Sequence, residues 1–235
     1  MNQRHRPPTS APETAGDADR SLTERATQQF LDLADWRRRV GDLYRISGPD
    51  ALARFRRGRD ELFKTHPQSP IPLAARATFA GLAYFDPNPA YRFRCTLAPT
   101  TEGDPLDIDT GGEDGVIRYR RAGELRFELS EKSCRLTVFS LIGYGGGLFL
   151  PFRDATSGKE TYGGGRYLFD TVKNTDGLAL ELTAGSEDLV IDFNYAYNPS
   201  CAYDPRWACP LAPRENWLTV PITAGEKVYN SDADD

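Results

Sequence analysis

Beyond residue 76 the sequence repeatedly alternates apolar and polar residues. The stretch "YRFRCTL" at residues 91–97 and the stretch "GELRFELS" at residues 123–130 both place an apolar side chain at every second position. This period puts all the apolar side chains on one face of a strand. Similar segments, bounded by turns that contain Gly, Asp or Pro, occur at 105–109, 115–121, 134–142, 166–170, 177–183, 188–195 and 217–222. About nine short strands with no long helix between them predict a mainly β fold, an antiparallel β-sandwich or barrel.

Two helices are predicted before this strand-rich region. From Thr23 to about Ile46, apolar residues recur close to the period of 3.6 that marks an amphipathic helix. A second helix follows "SGPD" and ends before "HPQSPIP", whose three prolines interrupt helical structure. The basic stretch "RFRRGRDE" of this helix is interpreted as a solvated face. The prediction is a helical segment, 23–75, packed on an antiparallel β domain, 76–229.

Composition excludes several classes of protein. At 235 residues, with 39% hydrophobic residues, the chain can bury a core and fold alone. A net charge of -5 opposes general affinity for nucleic acid. The N-terminal residues contain no apolar run, so neither a secretory signal nor a membrane span is expected there, and a cytoplasmic protein is predicted. Polar composition predicts disordered tails at 1–22 and 230–235, and the sequence leaves open a homo-oligomer.

The chain contains only two histidines, His5 in the predicted tail and His66 at a helix end. A Ser-His-Asp or Cys-His arrangement needs an imidazole beside the nucleophile. A histidine-rich metal site needs more imidazoles than the chain offers. We therefore predict no metal site, and the residues identify no cofactor.

Two segments hold most of the polar candidates for a site. They are "GYGGGLFLPFRDATSGKETYGGGRY" and "DFNYAYNPSCAYDPRWACPLAPREN", which we expect to meet in space. Without histidine, acid–base chemistry falls to carboxylates and phenols, because a dry pocket can raise the pKa of one carboxylate while a cation keeps another ionised. The predicted catalytic residues are Asp154, Glu160, Tyr162 and Asp192.

Arginines and amides supply the predicted ligand contacts. Arg153 and Arg166 either grip a carboxylate or phosphate through the planar guanidinium or make structural ion pairs. Asn194 and Asn198 share one face with the preceding Asp192 if that strand continues to Asn198, and this face either lines a barrel mouth or is simply solvated.

The glycine triplet of Gly163, Gly164 and Gly165 permits close approach of the backbone to a ligand. It does not match a nucleotide-binding loop and fits turns or bulges with positive φ better. Cys201 completes the predicted ligand-binding residues. With Cys209 it forms buried thiols, a redox-sensitive pair or a site with one reactive thiolate, and buried thiols are favoured.

The succession "LPFRDATSGKETYGGGRYL", "DFNYAYNPSCAYDPRWACPLAPREN" and "PITAGEK" resembles the bacterial and archaeal family known as domain of unknown function 1684, DUF1684. The similarity runs from roughly Trp36 to Tyr229. The family label records no established activity, substrate or cofactor, so the resemblance implies where a site lies and not its chemistry. The motif positions it marks are Asp154, Thr156, Ser157, Gly158, Glu160, Thr161, Tyr162, Gly165, Arg166, Tyr167, Asp192, Asn194, Asn198, Cys201, Cys209, Asn216, Gly225, Glu226 and Lys227.

The leading functional hypothesis is a cleft in the β domain that binds a small polar or anionic molecule. Conversion of that molecule by carboxylate acid–base chemistry is left open. The rival hypothesis is a ligand-binding or interaction module without chemistry, in which "YGGGRYL" and "FNYAYNPSCAY" join two sheet edges.

Overall fold

The computed structural model describes residues 15–100, 103–112 and 115–229, with side chains from Thr27 onward. Helix α1 spans Ala15–Leu43 and helix α2 spans Ala51–Thr65. Both predicted helices are present. Helix α1 begins at Ala15 and not at Thr23, and the sequence permits this start since no proline lies between Pro12 and Pro49 to interrupt the helical hydrogen bonds.

Residues 15–22 of α1 fall within the stretch that the sequence predicts as an N-terminal tail, and the extent of that tail stays a prediction. Residues 1–14 and 230–235, where the rest of the two predicted tails falls, lie outside the described residues. The division of the chain into a helical segment and a separate β domain stays a prediction. Among the described residues, no helix is both long enough and apolar enough to cross a lipid bilayer.

In the described part of the chain, eight strands form one antiparallel sheet in the order β6-β5-β4-β3-β1-β8-β7, with β2 paired to β3. The mainly β prediction is thus confirmed, and the sheet is a nearly closed barrel. The strands are β1 Arg92–Ala98, β2 Leu106–Asp109, β3 Val116–Leu129, β4 Lys132–Leu141, β5 Leu148–Phe152, β6 Arg166–Asp170, β7 Leu180–Leu182 and β8 Asp188–Asp192.

The barrel is closed by the segment that follows β8. The backbone N–H of Tyr167 in β6 donates to the Tyr197 carbonyl at 2.8 Å, and the N–H of Tyr197 donates back to the Tyr167 carbonyl at 3.0 Å. Strand β6 would otherwise be an open sheet edge, with unpaired backbone groups. The chain after β8 therefore covers the edge of β6 and brings the two predicted polar segments together, as expected.

Three strand predictions were wrong in detail. One long strand, β3, replaces two shorter ones, because a bulge between Arg121 and Gly123 changes the phase of the alternation without ending the pairing. Strand β5 was missed, since it is buried on both faces and carries Pro151 at a second bulge. Residues 217–222 contribute only an isolated bridge of Trp217 with Arg153.

One of the contacts by which helix α2 docks on the barrel is the aromatic side chain of Phe55. The ring of Phe55 lies edge-on to Tyr44 of the segment after α1 and to Tyr195 of the segment after β8, with centroid distances of 4.8 and 5.0 Å. Such edge-to-face pairs are favourable beyond the area that they bury. The two helices are thereby fixed against the part of the barrel wall that follows β8.

Candidate functional site

The predicted catalytic Asp154 and the predicted ligand-binding Arg166 form a completely buried ion pair. Arg166 Nη2 donates to Asp154 Oδ2 at 2.9 Å and to the Ile222 carbonyl at 2.8 Å, while Nη1 donates to two more carbonyls of the same C-terminal segment. Asp154 Oδ1 accepts from the N–H groups of Thr156 and Ile222 at 2.9 and 3.1 Å. Burial lowers the pKa of Arg166, and the Asp154 carboxylate opposes that effect. The structure gives these groups each other and the C-terminal backbone as partners, although Arg166 Nε has no hydrogen-bond partner among the described residues. Neither group lines the cavity described below.

The remaining predicted residues of this loop are scattered. Glu160 is exposed to solvent. The Arg153 guanidinium stacks on the Trp217 ring at 4.2 Å from its centroid. Tyr162 donates its hydroxyl to Cys201 Sγ at 3.6 Å, and burial raises its pKa to about 12. The structure therefore does not assemble Glu160, Arg153 and Tyr162 around one point.

The three glycines of residues 163–165 differ in what they do. Gly165 has φ +94°, and a Cβ there would lie 2.5 Å from the carbonyl oxygen of Phe152. Gly163 has no φ in the left-handed region, and a Cβ there would meet nothing closer than 3.7 Å. A Cβ on Gly164 would meet the Tyr162 ring at 2.5 Å.

The predicted polar row of Asp192, Asn194 and Asn198 does not exist. Strand β8 ends at Asp192, and a 3-10 turn at Phe193–Tyr195 breaks the alternation. Asp192 Oδ1 accepts from the backbone N–H and the side-chain amide of Asn194 at 2.9 and 2.8 Å, and burial raises the pKa of Asp192. Asn194 also exchanges two hydrogen bonds with the backbone of Asn88. The strand ends here for a local reason, because the Asp192 carboxylate caps the turn that follows.

Asn198 belongs to a second buried ionic cluster. The Glu226 carboxylate accepts from Arg59 Nη2 at 2.8 Å, from the Asn198 N–H at 3.1 Å and from the Tyr203 hydroxyl. The side chains of Arg59 and Glu226 are 6% and 1% exposed. The Arg59 guanidinium and the Glu226 carboxylate therefore neutralise each other away from solvent. Burial raises the pKa of Glu226.

A cavity of about 380 Å³ lies beside this cluster, between the two helices and the end of the barrel where β6 meets the segment after β8. Its volume falls within the usual range of small-molecule sites. The lining is dominated by aliphatic and aromatic side chains. The aromatic ones are Trp36, Tyr44 and Phe63 from the helical side and Tyr167, Tyr197, Tyr203 and Trp207 from the barrel side.

Four residues of this lining carry buried polar atoms that have no hydrogen-bond partner among the described residues: Tyr44 Oη, Arg59 Nε, Asn198 Oδ1 and Trp207 Nε1. An unpaired buried polar atom costs about 1–3 kcal/mol, so such atoms are rare in folded proteins. The remaining such atoms of the described residues belong to Arg56, Tyr84 and Arg166, so four of the eight surround this one cavity. Of the predicted site residues, Asn198 alone contributes to the described lining.

The charged side chains of the lining are all cationic. They are Arg37, Arg59 and Lys173, and the described part of the chain places no aspartate or glutamate in the lining. Glu226 offsets the charge of Arg59, while Lys173 lies 3.6 Å from Asp170 and remains partly exposed. Among these three cations of the described lining, Arg37 alone has no salt bridge to a carboxylate, so the positive bias of the otherwise apolar cavity comes from Arg37. In the described part of the chain, no group of three or more His, Cys, Asp or Glu side chains is arranged to hold a metal ion.

Sequence reasoning missed most of this lining. The "RFRRGRDE" stretch was interpreted as a solvated face, but Arg59 within it is 5% exposed. The signal was present in the helical spacing. Arg59 lies four residues after Phe55 and four before Phe63, so it shares the apolar face of α2 with these two buried residues.

The comparisons with known proteins agree with the resemblance found in the sequence. The model of the family described as "Protein of unknown function (DUF1684)" matches residues 77–227. The chain belongs to the DUF1684 family. The solution NMR structure of an uncharacterized protein from Haloarcula marismortui is similar to this chain, with 37% sequence identity, a TM-score of 0.56 and coverage of 78% of this chain and 94% of that one. No curated protein matches the chain.

The family match covers the barrel side of the cavity but not its helical side. Residues 77–227 include the barrel side, with Tyr167, Asn198 and Trp207, whereas both helices lie before the matched segment. Neither the family description nor the name of the archaeal protein states an activity or a ligand. Any functional proposal for this DUF1684 protein therefore depends on the geometry of the cavity.

Proposed function

We propose that this protein binds a small molecule with an apolar, ring-containing body and one anionic group in the cavity between its helices and its barrel. The supporting observation is the cluster of four unpaired buried polar atoms around an otherwise aromatic and aliphatic lining. A bound ligand would supply partners for donors such as Trp207 Nε1 and Arg59 Nε while its apolar part contacts the rings.

The charge of the ligand follows from the cationic lining. Arg37, which has no salt bridge in the described part of the chain, favours an anion. Carboxylate, sulfonate and phosphate groups all accept hydrogen bonds from guanidinium and indole N–H groups. This proposal keeps the small anionic ligand of the sequence-based hypothesis and moves it away from Arg153 and Arg166.

The geometry favours binding over catalysis. The predicted acids and bases, Asp154, Glu160, Tyr162 and Asp192, are not in the lining, and no carboxylate of the described residues is. General acid–base chemistry requires a titratable group within hydrogen-bond reach of the reacting atom. The phenols of the described lining are poor candidates at neutral pH, because burial raises the pKa of Tyr44, Tyr167, Tyr197 and Tyr203. We therefore propose a ligand-binding module. A cytoplasmic location and a homo-oligomer stay predictions.

Charge reversal at Arg37 tests the proposed anion site. With the fluorescent anion 8-anilinonaphthalene-1-sulfonate as the probe, we expect Arg37→Glu to raise the dissociation constant about threefold to tenfold at low salt, because an exposed charge pair contributes up to about 1 kcal/mol and reversal doubles the change. The measurement is a fluorescence titration. Arg38→Glu is the matched control, since Arg38 is its neighbour, is exposed and does not line the cavity.

Two further measurements decide where the probe binds. Uncharged N-phenyl-1-naphthylamine should bind wild type and Arg37→Glu equally well, because it lacks the sulfonate. Ala208→Trp, which adds a bulky ring inside the lining, should abolish binding of both probes while circular dichroism remains native. Equal loss in Arg37→Glu and Arg38→Glu, or unchanged binding in Ala208→Trp, would show that the cavity is not the site.

A further inference from the structure

The side-chain amide of Asn198 carries an acceptor that the protein leaves unused. Asn198 lines the cavity and is 2% exposed. Its Nδ2 donates to the Lys227 carbonyl at 2.7 Å, and its Oδ1 has no hydrogen-bond partner among the described residues. Because a carbonyl oxygen can only accept, the amide nitrogen must be the atom that faces Lys227. The unused atom of Asn198 is therefore an oxygen, and its partner has to be a donor.

An unused donor belongs to the same buried cluster. The Asn198 N–H and Arg59 Nη2 both donate to one oxygen of Glu226, Oε2, at 3.1 and 2.8 Å. This shared oxygen makes Asn198 and Arg59 neighbours. Arg59 also lines the cavity, and its Nε has no partner in the described part of the chain. The cluster thus offers a ligand one acceptor, Asn198 Oδ1, and one donor, Arg59 Nε.

Charge decides which kind of ligand group fits beside this cluster. Glu226 already neutralises Arg59, so a further buried charge would lack a partner. A carboxylate would also lack the hydrogen that Asn198 Oδ1 needs. A hydroxyl is a small neutral group that both donates and accepts a hydrogen bond. Arg37, by contrast, is exposed, so the anionic group of a ligand fits at the solvent-exposed part of the lining.

We propose that the cavity selects hydroxylated aromatic acids, with the ring hydroxyl donating to Asn198 Oδ1 and accepting from Arg59 Nε while the acid group lies near Arg37. Asn198 is then the residue that determines specificity for the hydroxyl. An analogue without the hydroxyl leaves both buried atoms unpaired, which is the basis on which polar sites reject such analogues. The inference rests on the proposed function, because it names the ligand class of the same cavity.

Three naphthalene sulfonates that differ at one ring position test the preference for a hydroxyl. The probe 6-hydroxy-2-naphthalenesulfonate donates and accepts, its 6-amino analogue mainly donates, and 2-naphthalenesulfonate does neither at that position. One hydrogen bond changes an affinity by about twofold to tenfold. We therefore expect wild type to bind the hydroxy probe about tenfold more tightly than the unsubstituted probe, with the amino probe between them. Isothermal titration calorimetry of the full-length protein measures the three dissociation constants.

Asn198→Ala tests the residue assigned to the hydroxyl. The variant removes Oδ1, so the amino probe should lose its advantage over the unsubstituted probe, and the advantage of the hydroxy probe should shrink to the contribution of Arg59. The variant also loses the hydrogen bond to Lys227, so the readout is the ratio of dissociation constants, which a general loss of stability leaves unchanged. Ser200→Ala is the matched control and should keep the wild-type ratios, because Ser200 lines the same cavity and has no unpaired buried atom.

The outcomes separate this inference from the proposed function. If wild type bound all three probes equally and Ala208→Trp abolished all binding, the cavity would remain the site and the hydroxyl preference would be wrong. Unchanged ratios in Asn198→Ala would show that Asn198 does not recognise the hydroxyl. Failure of every probe to bind wild type would contradict the proposed function and this inference together.

Discussion

Replacement of Arg166 by methionine is expected to lower the free energy of unfolding by about 3–5 kcal/mol, the usual cost of removing one partner from a buried ion pair. The variant leaves the Asp154 carboxylate uncompensated and deprives three carbonyls of the C-terminal segment of their donor. At about 2–4 °C per kcal/mol for a chain of this length, the melting temperature should fall by about 10 °C. Chemical denaturation and a thermal scan measure both quantities.

The matched comparison is Glu160→Gln. Glu160 lies in the same loop and was predicted to be catalytic, but it is exposed, so its replacement should change stability by less than about 0.5 kcal/mol. The pair of variants distinguishes the two roles that the sequence left open for Arg166, a ligand contact and a structural ion pair. If Arg166→Met kept its full stability and lost only binding of the anionic probe, Arg166 would be a ligand anchor and the structural role described above would be wrong.

Replacement of Gly165 by alanine should also destabilise the fold strongly. An L-residue at a left-handed φ costs about 1–2 kcal/mol, and here the new Cβ would also lie 2.5 Å from the Phe152 carbonyl oxygen, so the backbone must shift. We expect a total loss of more than about 2 kcal/mol, which denaturant titration would measure. Because Arg166 follows immediately, part of the cost would come from displacing its ion pair with Asp154.

Gly163→Ala provides the control within the same triplet. Its φ lies outside the left-handed region and its surroundings accommodate a methyl group, so stability should be unchanged or slightly increased. Equal effects at Gly163 and Gly165 would mean that the triplet is needed for general flexibility. Unequal effects in the expected direction would assign the requirement to the crowded backbone beside Phe152.

The architecture could be predicted because the alternation of polar and apolar residues is a local property. Strands such as β1, in which buried Cys95 alternates with exposed Arg94, carry their own signal in the sequence. The details that failed depend on partners. The bulge before Gly123 and the proline in β5 make sense only when the neighbouring strand is known. The end of β8 could not be placed without the cap that Asp192 provides.

The site was harder to predict than the fold, for a physical reason. Polar residues in a dense segment attract attention, yet Asp154 and Arg166 satisfy each other inside the protein. The cavity instead depends on residues far apart in sequence, such as Arg59 and Trp207, which meet only when the helices dock on the barrel. Unpaired atoms appear after folding, and no sequence pattern marks them.

The position of the helices before residues 77–227 has a consequence for how the cavity is assembled. The matched segment contributes Tyr167, Asn198 and Trp207, while the two helices contribute Trp36 and Arg59. A protein truncated to residues 77–227 would keep the barrel wall of the cavity and lose its helical wall.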